Sequence, residues 1–346
     1  MIRMAISGAG AIAERAHIPA LKSVDGIEIV ALQGRTSEKP NRVATTLWPQ
    51  ATGRPAVYTN FDEMLERERP DAVGIFTPNY LHCDYTLKAT AAGAHVLCEK
   101  PMAPTLADAR RMVDAAERTG RVLMVTMQRR YGGLESAVKR AIESGAIGTP
   151  NFIRARLSHG GPEGWAPGQQ WFVDPSQAGG GATLDLGVHI ADLALWYLGD
   201  LESLDGRVAT VSKQIDVDDT GVMMMRFRSG ALGVLEASWA TNPGLSVIEI
   251  YGSDGRVMVG YPHNDISILR ADSTAAPGYT REAIMAQFDP RDLLAPFRAL
   301  AQNFADAVSG RAAPMPTGAD GLRAIEVIEA CYRSSRSGKH VEFPLP

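Results

Sequence analysis

Lys100 ends a short apolar run, Val96-Leu97-Cys98, coming directly after Glu99 and directly before Pro101. An ammonium there can hydrogen-bond an oxygen and stabilise negative charge developing on it. The proline disfavours the helical region for Lys100, so the base is expected to continue the strand direction and leave the charged pair at the strand's tip. Open α/β sheets bind ligands at such tips. Far along the chain, Asp185, His189 and Asp192 fall at i, i+4 and i+7, positions that share one face of a helix. Leu186, Ile190, Leu193, Leu195 and Trp196 surround them, so the polar stripe either lines a cleft or satisfies a buried partner. An imidazole, with an ordinary pKa of about 6.5, suits proton transfer near neutrality. Each group has a plainer reading too: Lys100 as a surface lysine paired with Glu99, the Asp–His pair as a cap or a satisfied core histidine.

A third kind of chemistry is phosphate binding. The stretch from Ser7 places Gly8, Gly10 and Ala13 in a G-x-G-x-x-A frame, with Ala11 and Ile12 inside it, after a strand and at the opening of a helix. Gly8 allows the tight turn, Gly10 lets a pyrophosphate approach the backbone, and a small residue at 13 lets helix pack on strand. The helix amino terminus then offers N–H groups and a positive dipole end to phosphate. At the end of the second strand, Gly34 stands where an NAD-binding chain usually carries an acid for the ribose 2′-hydroxyl; Arg35, Thr36, Ser37 and Lys39 follow. Without the carboxylate, and with a guanidinium fork and hydroxyls, the loop suits a 2′-phosphate. NADP(H) is therefore expected over NAD(H), which remains possible; the alternative is an ordinary solvated turn.

These residues need a scaffold. Strand patterns at 2–7, 27–33, 71–77, 95–100 and 121–127 alternate with helical patterns at 11–23, 61–68, 80–92 and 105–119. Asn60 with Glu63 and Thr105 with Asp108 have capping spacing, and Gly93 and Gly120 sit where helices stop. That rhythm predicts a parallel sheet with right-handed crossovers. A helix at 134–145 leads into strands at 151–158, 204–212, 220–228, 231–239, 245–252 and 255–260, with turn signals at 228–230 and 253–255 and one helix at 182–198. The second part is thus expected as an α+β domain with a large, open, mostly antiparallel sheet. The expected division is 1–127, 128–292 and 293–346. In the last, Leu293, Phe297, Leu300 and Phe304 mark a helix face, and 271–290 reads as a loop or lid.

At 346 residues the chain has room for two packed cores. Its net charge of −4 is spread along the chain, with no basic run for nucleic acid. The three cysteines lack C-x-x-C spacing, which points to a reduced, cytoplasmic setting and no metal site. No leader pattern and no run of about 20 apolar residues is present, so no membrane role is expected.

Taken together, the motifs resemble the Gfo/Idh/MocA family, the glucose–fructose oxidoreductase and inositol dehydrogenase group. The segments that carry the resemblance are G-A-G-A-I-A, T-P-N-Y-L-H at 77–82, A-G-A-H-V-L-C-E-K-P at 92–101 and G-G-G-A-T-L-D-L-G-V-H at 179–189, and it extends along nearly the whole chain. It implies a Rossmann domain, then an open sheet often used for homo-oligomers, then closing helices that return to the first domain. It implies Lys100 as catalytic lysine, His189 as general acid/base and Asp185 as the carboxylate beside it. Thr77, Pro78 and Asn79, in the segment ending at His82, would border the nicotinamide, and Glu99 its ribose. Gln128 stands where many members carry Asn.

The expected activity is hydride transfer between NADP(H) and a secondary alcohol or ketone of a sugar or polyol, with the substrate between Lys100 and the 182–198 helix. Trp165 and Trp171 either stack on a sugar ring or pack between domains. Arg129 or Arg130 either binds substrate or forms an ion pair. Two rival readings stand: a non-catalytic dinucleotide-binding sensor, and an enzyme that retains its cofactor for sugar transhydrogenation or glycoside redox chemistry.

Overall fold

The computed structural model describes residues 1–164, 166, 168–260, 265–272, 274–275, 278–284, 289 and 291–346. They form two compact units, one of residues 1–128, 176–179 and 293–322, the other of 129–175, 180–292 and 323–346. Among the described residues, no helix is long and apolar enough to cross a membrane.

The first unit is built on a parallel sheet of strands β1 (Ile2–Ser7), β2 (Ile27–Gln33), β3 (Ala56–Tyr58), β4 (Ala72–Ile75), β5 (His95–Cys98) and β6 (Leu123–Val125), in the order β3-β2-β1-β4-β5-β6. β4 and β6 are buried at every residue, as expected where helices cover both faces of a parallel sheet. The order reverses between β1 and β4, which opens a crevice at the carboxyl ends of those strands. Asn60 and Thr105 do cap their helices, accepting the amide protons of Glu63 and Asp108. Gly93 and Gly120 take positive φ at the stops.

Three expectations in this unit are corrected. β5 ends at Cys98, two residues early: Glu99 still donates its amide to Ile75 of β4, but the Lys100 amide leaves the ladder for the Thr126 side chain. The helix Glu38–Leu47 and strand β3 went unforeseen; only Pro40, Val43 and Ala44 of that helix are buried, so its apolar pattern is faint. Leu293 lies before the helix Ala295–Val308 and is exposed, while Leu300 and Phe304 are buried as expected.

The second unit carries a sheet of β7 (Pro150–Ser158), β8 (Leu201–Ala209), β9 (Thr220–Phe227), β10 (Leu232–Ser238), β11 (Leu245–Gly252), β12 (Gly255–Gly260), β13 (Asp265–Ala271), β14 (Tyr279–Ile284) and β15 (Val341–Glu342). Among the described residues it has nine strands, antiparallel except for the β7–β10 pair. β9 shows the alternation such a sheet requires: Met223, Met225 and Phe227 are buried, and Val222 and Met224 are exposed. The expected loop over 271–290 is corrected, since β14 within it pairs with β13; residues 273, 276–277, 285–288 and 290 lie outside the described set. The expected helix 182–198 is two helices, Ala182–Asp185 and Gly187–Leu198, interrupted at Leu186.

Candidate active site

In the first unit, four chemically marked segments follow the carboxyl ends of four strands: the glycine turn after β1, Thr77-Pro78-Asn79 after β4, Glu99-Lys100 after β5 and Gln128 after β6. Gly8 has φ +94°, and a Cβ there would lie 2.4 Å from the carbonyl oxygen of Phe76, so only glycine fits. A Cβ on Gly10 would meet nothing within 4 Å, which leaves open space beside the backbone where a pyrophosphate would lie. Ala13 is fully buried, while Ala11 and Ile12 are exposed at the helix start. The side-chain oxygens Oγ1 of Thr77 and Oε1 of Gln128 are buried without a hydrogen-bond partner among the described residues. Open cradle and orphaned polar atoms fit a bound dinucleotide.

Beyond β2, Gln33 is tied inward, accepting from the Ser7 hydroxyl at 2.6 Å and donating to the Thr59 carbonyl at 3.2 Å. A Cβ on Gly34 would lie 2.8 Å from Cγ of Pro40, so the ring of Pro40 holds the space an acidic side chain would need. Arg35, Thr36, Ser37 and Lys39 are exposed. Arg35 makes no hydrogen bond or ion pair among the described residues, whereas nearby Arg42 is engaged by both carboxylate oxygens of Glu14.

His82, expected at the cofactor, lies between two loop carbonyls. Its ring is fully buried, with Nδ1 3.0 Å from the Pro101 carbonyl oxygen and Nε2 2.8 Å from that of Thr77. Burial pushes its pKa down, against the two carbonyls and Glu99, which favour the protonated ring; a neutral ring donates to one of the two carbonyls only. Asn79 is buried and donates to the Ala178 carbonyl at 2.8 Å.

In the second unit, Asp185 and His189 are both buried, on either side of the break at Leu186. The indole N–H of Trp239, itself 1 % exposed, donates to Oδ2 of Asp185 at 3.2 Å. Asp192 is taken by Arg130 through two bonds of 3.0 and 2.6 Å, both groups buried, and Arg129 pairs with Glu135 at 3.1 Å. Both arginines thus stand in ion pairs. Trp171 stacks on Phe172 with ring centroids 3.8 Å apart; Trp165 lies outside the described residues.

Two groups missed by the sequence reading shape this region: Trp239, and the Asp218–Tyr332 pair. The Asp218 carboxylate accepts the amide protons of Gly181 and Thr183 at 3.0 and 2.8 Å and the Tyr332 hydroxyl at 2.7 Å, so it caps the helix that presents Asp185. The glycines before it have separate reasons. A Cβ on Gly179 would meet Pro104, on Gly180 the Tyr332 hydroxyl, and on Gly181 the backbone oxygen of Asp218 at 1.8 Å. Backbone cannot step aside as a side-chain tip can. Gly181→Ala is expected to cost about 2 kcal/mol or more, read in a denaturant melt; a midpoint equal to the parent's would show that the turn relaxes freely.

Comparison with known proteins adds a second line of evidence. Residues 2–127 match the family model "Oxidoreductase family, NAD-binding Rossmann fold", and residues 135–258 match "GFO/IDH/MocA C-terminal domain". A D-apiose dehydrogenase of Paraburkholderia graminis is 30% identical over 95% of this chain and 86% of its own. A 1,5-anhydro-D-fructose reductase of Ensifer adhaerens is 30% identical over 99% of both chains. Among solved structures, the WlbA dehydrogenase of Bordetella pertussis, in complex with NADH and UDP-GlcNAcA, superposes with a TM-score of 0.84 at 28% identity, over 100% of this chain and 98% of that one.

Proposed function

Because the chain belongs to the GFO/IDH/MocA family of oxidoreductases, we propose that it transfers hydride between NADP(H), in preference to NAD(H), and a secondary alcohol or ketone carbon of a sugar or polyol. The observation that carries this reading is the convergence of the glycine cradle, the orphaned Thr77 and Gln128 oxygens and Lys100 at the carboxyl edge of one parallel sheet. The sugar class draws on relatives named for D-apiose and 1,5-anhydro-D-fructose.

The glycine turn would hold the pyrophosphate, Thr77, Asn79 and Gln128 would border the nicotinamide, and Arg35 with its neighbours would take the 2′-phosphate. A bound nicotinamide supplies the hydride acceptor for oxidation and the donor for reduction. The rest falls to the chain. In the oxidative direction His189 accepts the hydroxyl proton as carbon–oxygen single bond becomes carbonyl. Lys100 donates a hydrogen bond to that oxygen and offsets its developing charge. Asp185, held by Trp239, orients or relays from the imidazole; reduction reverses each transfer.

A panel of polyols and keto-sugars, followed by nicotinamide absorbance with both cofactors, tests the assignment. Turnover of at least one member is expected; none across the panel would favour a binding-only protein. The cofactor preference has its own test. A charge-assisted bond to phosphate is worth roughly 1.5–3 kcal/mol, so Arg35→Ala should weaken NADPH about tenfold or more and leave NADH within about twofold. Titration by fluorescence reads both, and parent protein that binds NADH as tightly as NADPH removes the preference.

A further inference from the structure

The helix opened by the glycine turn is wound as a π-helix over Ala13–His17. Such wide turns recur where a helix must aim a functional side chain. His17 is 2 % exposed and places Nε2 2.6 Å from Oε1 of Glu99. Its ring stacks on Phe76, with centroids 4.2 Å apart, and meets the edge of Phe297 at 5.1 Å, so its orientation is fixed by packing. The Thr126 side-chain oxygen accepts the backbone N–H of Lys100 at 3.1 Å, which fixes the backbone one residue after Glu99.

We propose that His17 is a positioning residue for Lys100: it holds the Glu99 side chain in place, and Glu99 together with Thr126, which binds the next amide, fixes the backbone from which Lys100 projects. The proposal rests on the assignment of Lys100 made above.

The electrostatics agree in direction. Burial alone would push the Glu99 carboxyl up; the hydrogen bond and charge of His17, the Lys100 ammonium and the Thr126 hydroxyl together hold it below its ordinary value. The other titratable groups facing Glu99 are His82 and Cys98, and burial disfavours the charged form of each. Phe76 and Phe297 bring no charge. Removing His17 takes away the largest opposition to burial and leaves Lys100 and Thr126, so Glu99 should take up a proton at higher pH than in the parent. Function that needs its charge would then be lost at higher pH on the acid side.

The test compares full-length parent, His17→Leu, His17→Gln and Thr126→Val. With the sugar substrate found in the panel, His17→Leu is expected to lose about 10- to 100-fold in kcat with KM within a few-fold, as small misplacements of a reacting group do. Its acid limb should move to higher pH. His17→Gln, whose amide can still donate to Glu99, should recover most of the loss, and Thr126→Val should lose kcat in the same direction. In cofactor-free protein, deuterium exchange of the peptide containing Lys100 should quicken in His17→Leu and Thr126→Val. A His17→Leu enzyme with parent-like kcat and acid limb overturns the proposal, as does His17→Gln no better than His17→Leu. If His17→Leu does not fold, Thr126→Val with full turnover overturns it instead. Full turnover in Lys100→Met would sink the underlying assignment, so the two failures are distinguishable.

Discussion

Lys100→Met is expected to lower kcat by roughly 10³-fold while NADPH affinity stays within about twofold. Methionine keeps most of the lysine stem, so the change removes the ammonium and little else. In the proposed reaction that ammonium matters most when the carbinol oxygen carries developing negative charge. An interaction stronger in the transition state than in the ground state appears in kcat, not in KM. Fold and cradle should survive, because the Lys100 amide stays bonded to Thr126 and Glu99 keeps His17. NADPH fluorescence reads the binding arm, and single-turnover absorbance reads the chemical step. A variant within about tenfold of the parent would show that Lys100 is a strand-end charge with no part in the reaction.

Much of the scaffold could be read from the chain because its signals are local. β1, β2, β11 and β12 end where the apolar runs end, and the caps at Asn60 and Thr105 sit at the spacing that announced them. What escaped had weak or masked patterns. The helix Glu38–Leu47 buries few residues and carries Pro40 and two threonines. In β13, Ile266, Ser267 and Ile268 are buried in succession, so the strand lacks the alternation that marks a half-buried one, and the Pro- and Gly-bearing stretch within 271–290 reads as a loop although β14 lies there.

The same contrast runs through the candidate site. Glycine turn, T-P-N and E-K-P are contiguous, and each states its own geometry. The partners that tune them are distant: 54 residues separate Trp239 from Asp185, 62 separate Arg130 from Asp192, and 82 separate His17 from Glu99. Spacing along a chain sets faces within one element and says nothing about register between elements. Thus the stripe Asp185, His189, Asp192 was visible as a stripe, but that Arg130 takes its last member emerged only from the packing of the second unit.

His189→Asn carries the second large effect, a loss of roughly 10² to 10⁴-fold in kcat. Asparagine can still hydrogen-bond, but it cannot accept a proton near neutrality, so binding should persist while proton transfer fails. His189 sits in the first turn of Gly187–Leu198, buried, one helical turn past the Asp185 that Trp239 holds. An Asn there leaves that anchor in place, and the melting profile should change little. The residual activity should also lose the pH dependence that the imidazole imposes, which a merely structural histidine would not produce. The strongest check couples both substitutions. If Lys100 and His189 serve one hydroxyl in one step, removing either already forfeits most of the advantage, and the double variant should fall far short of the product of the two losses. Losses that multiply in full would mean that the two groups act independently, and the proposed shared step would have to be abandoned even if each residue proved essential.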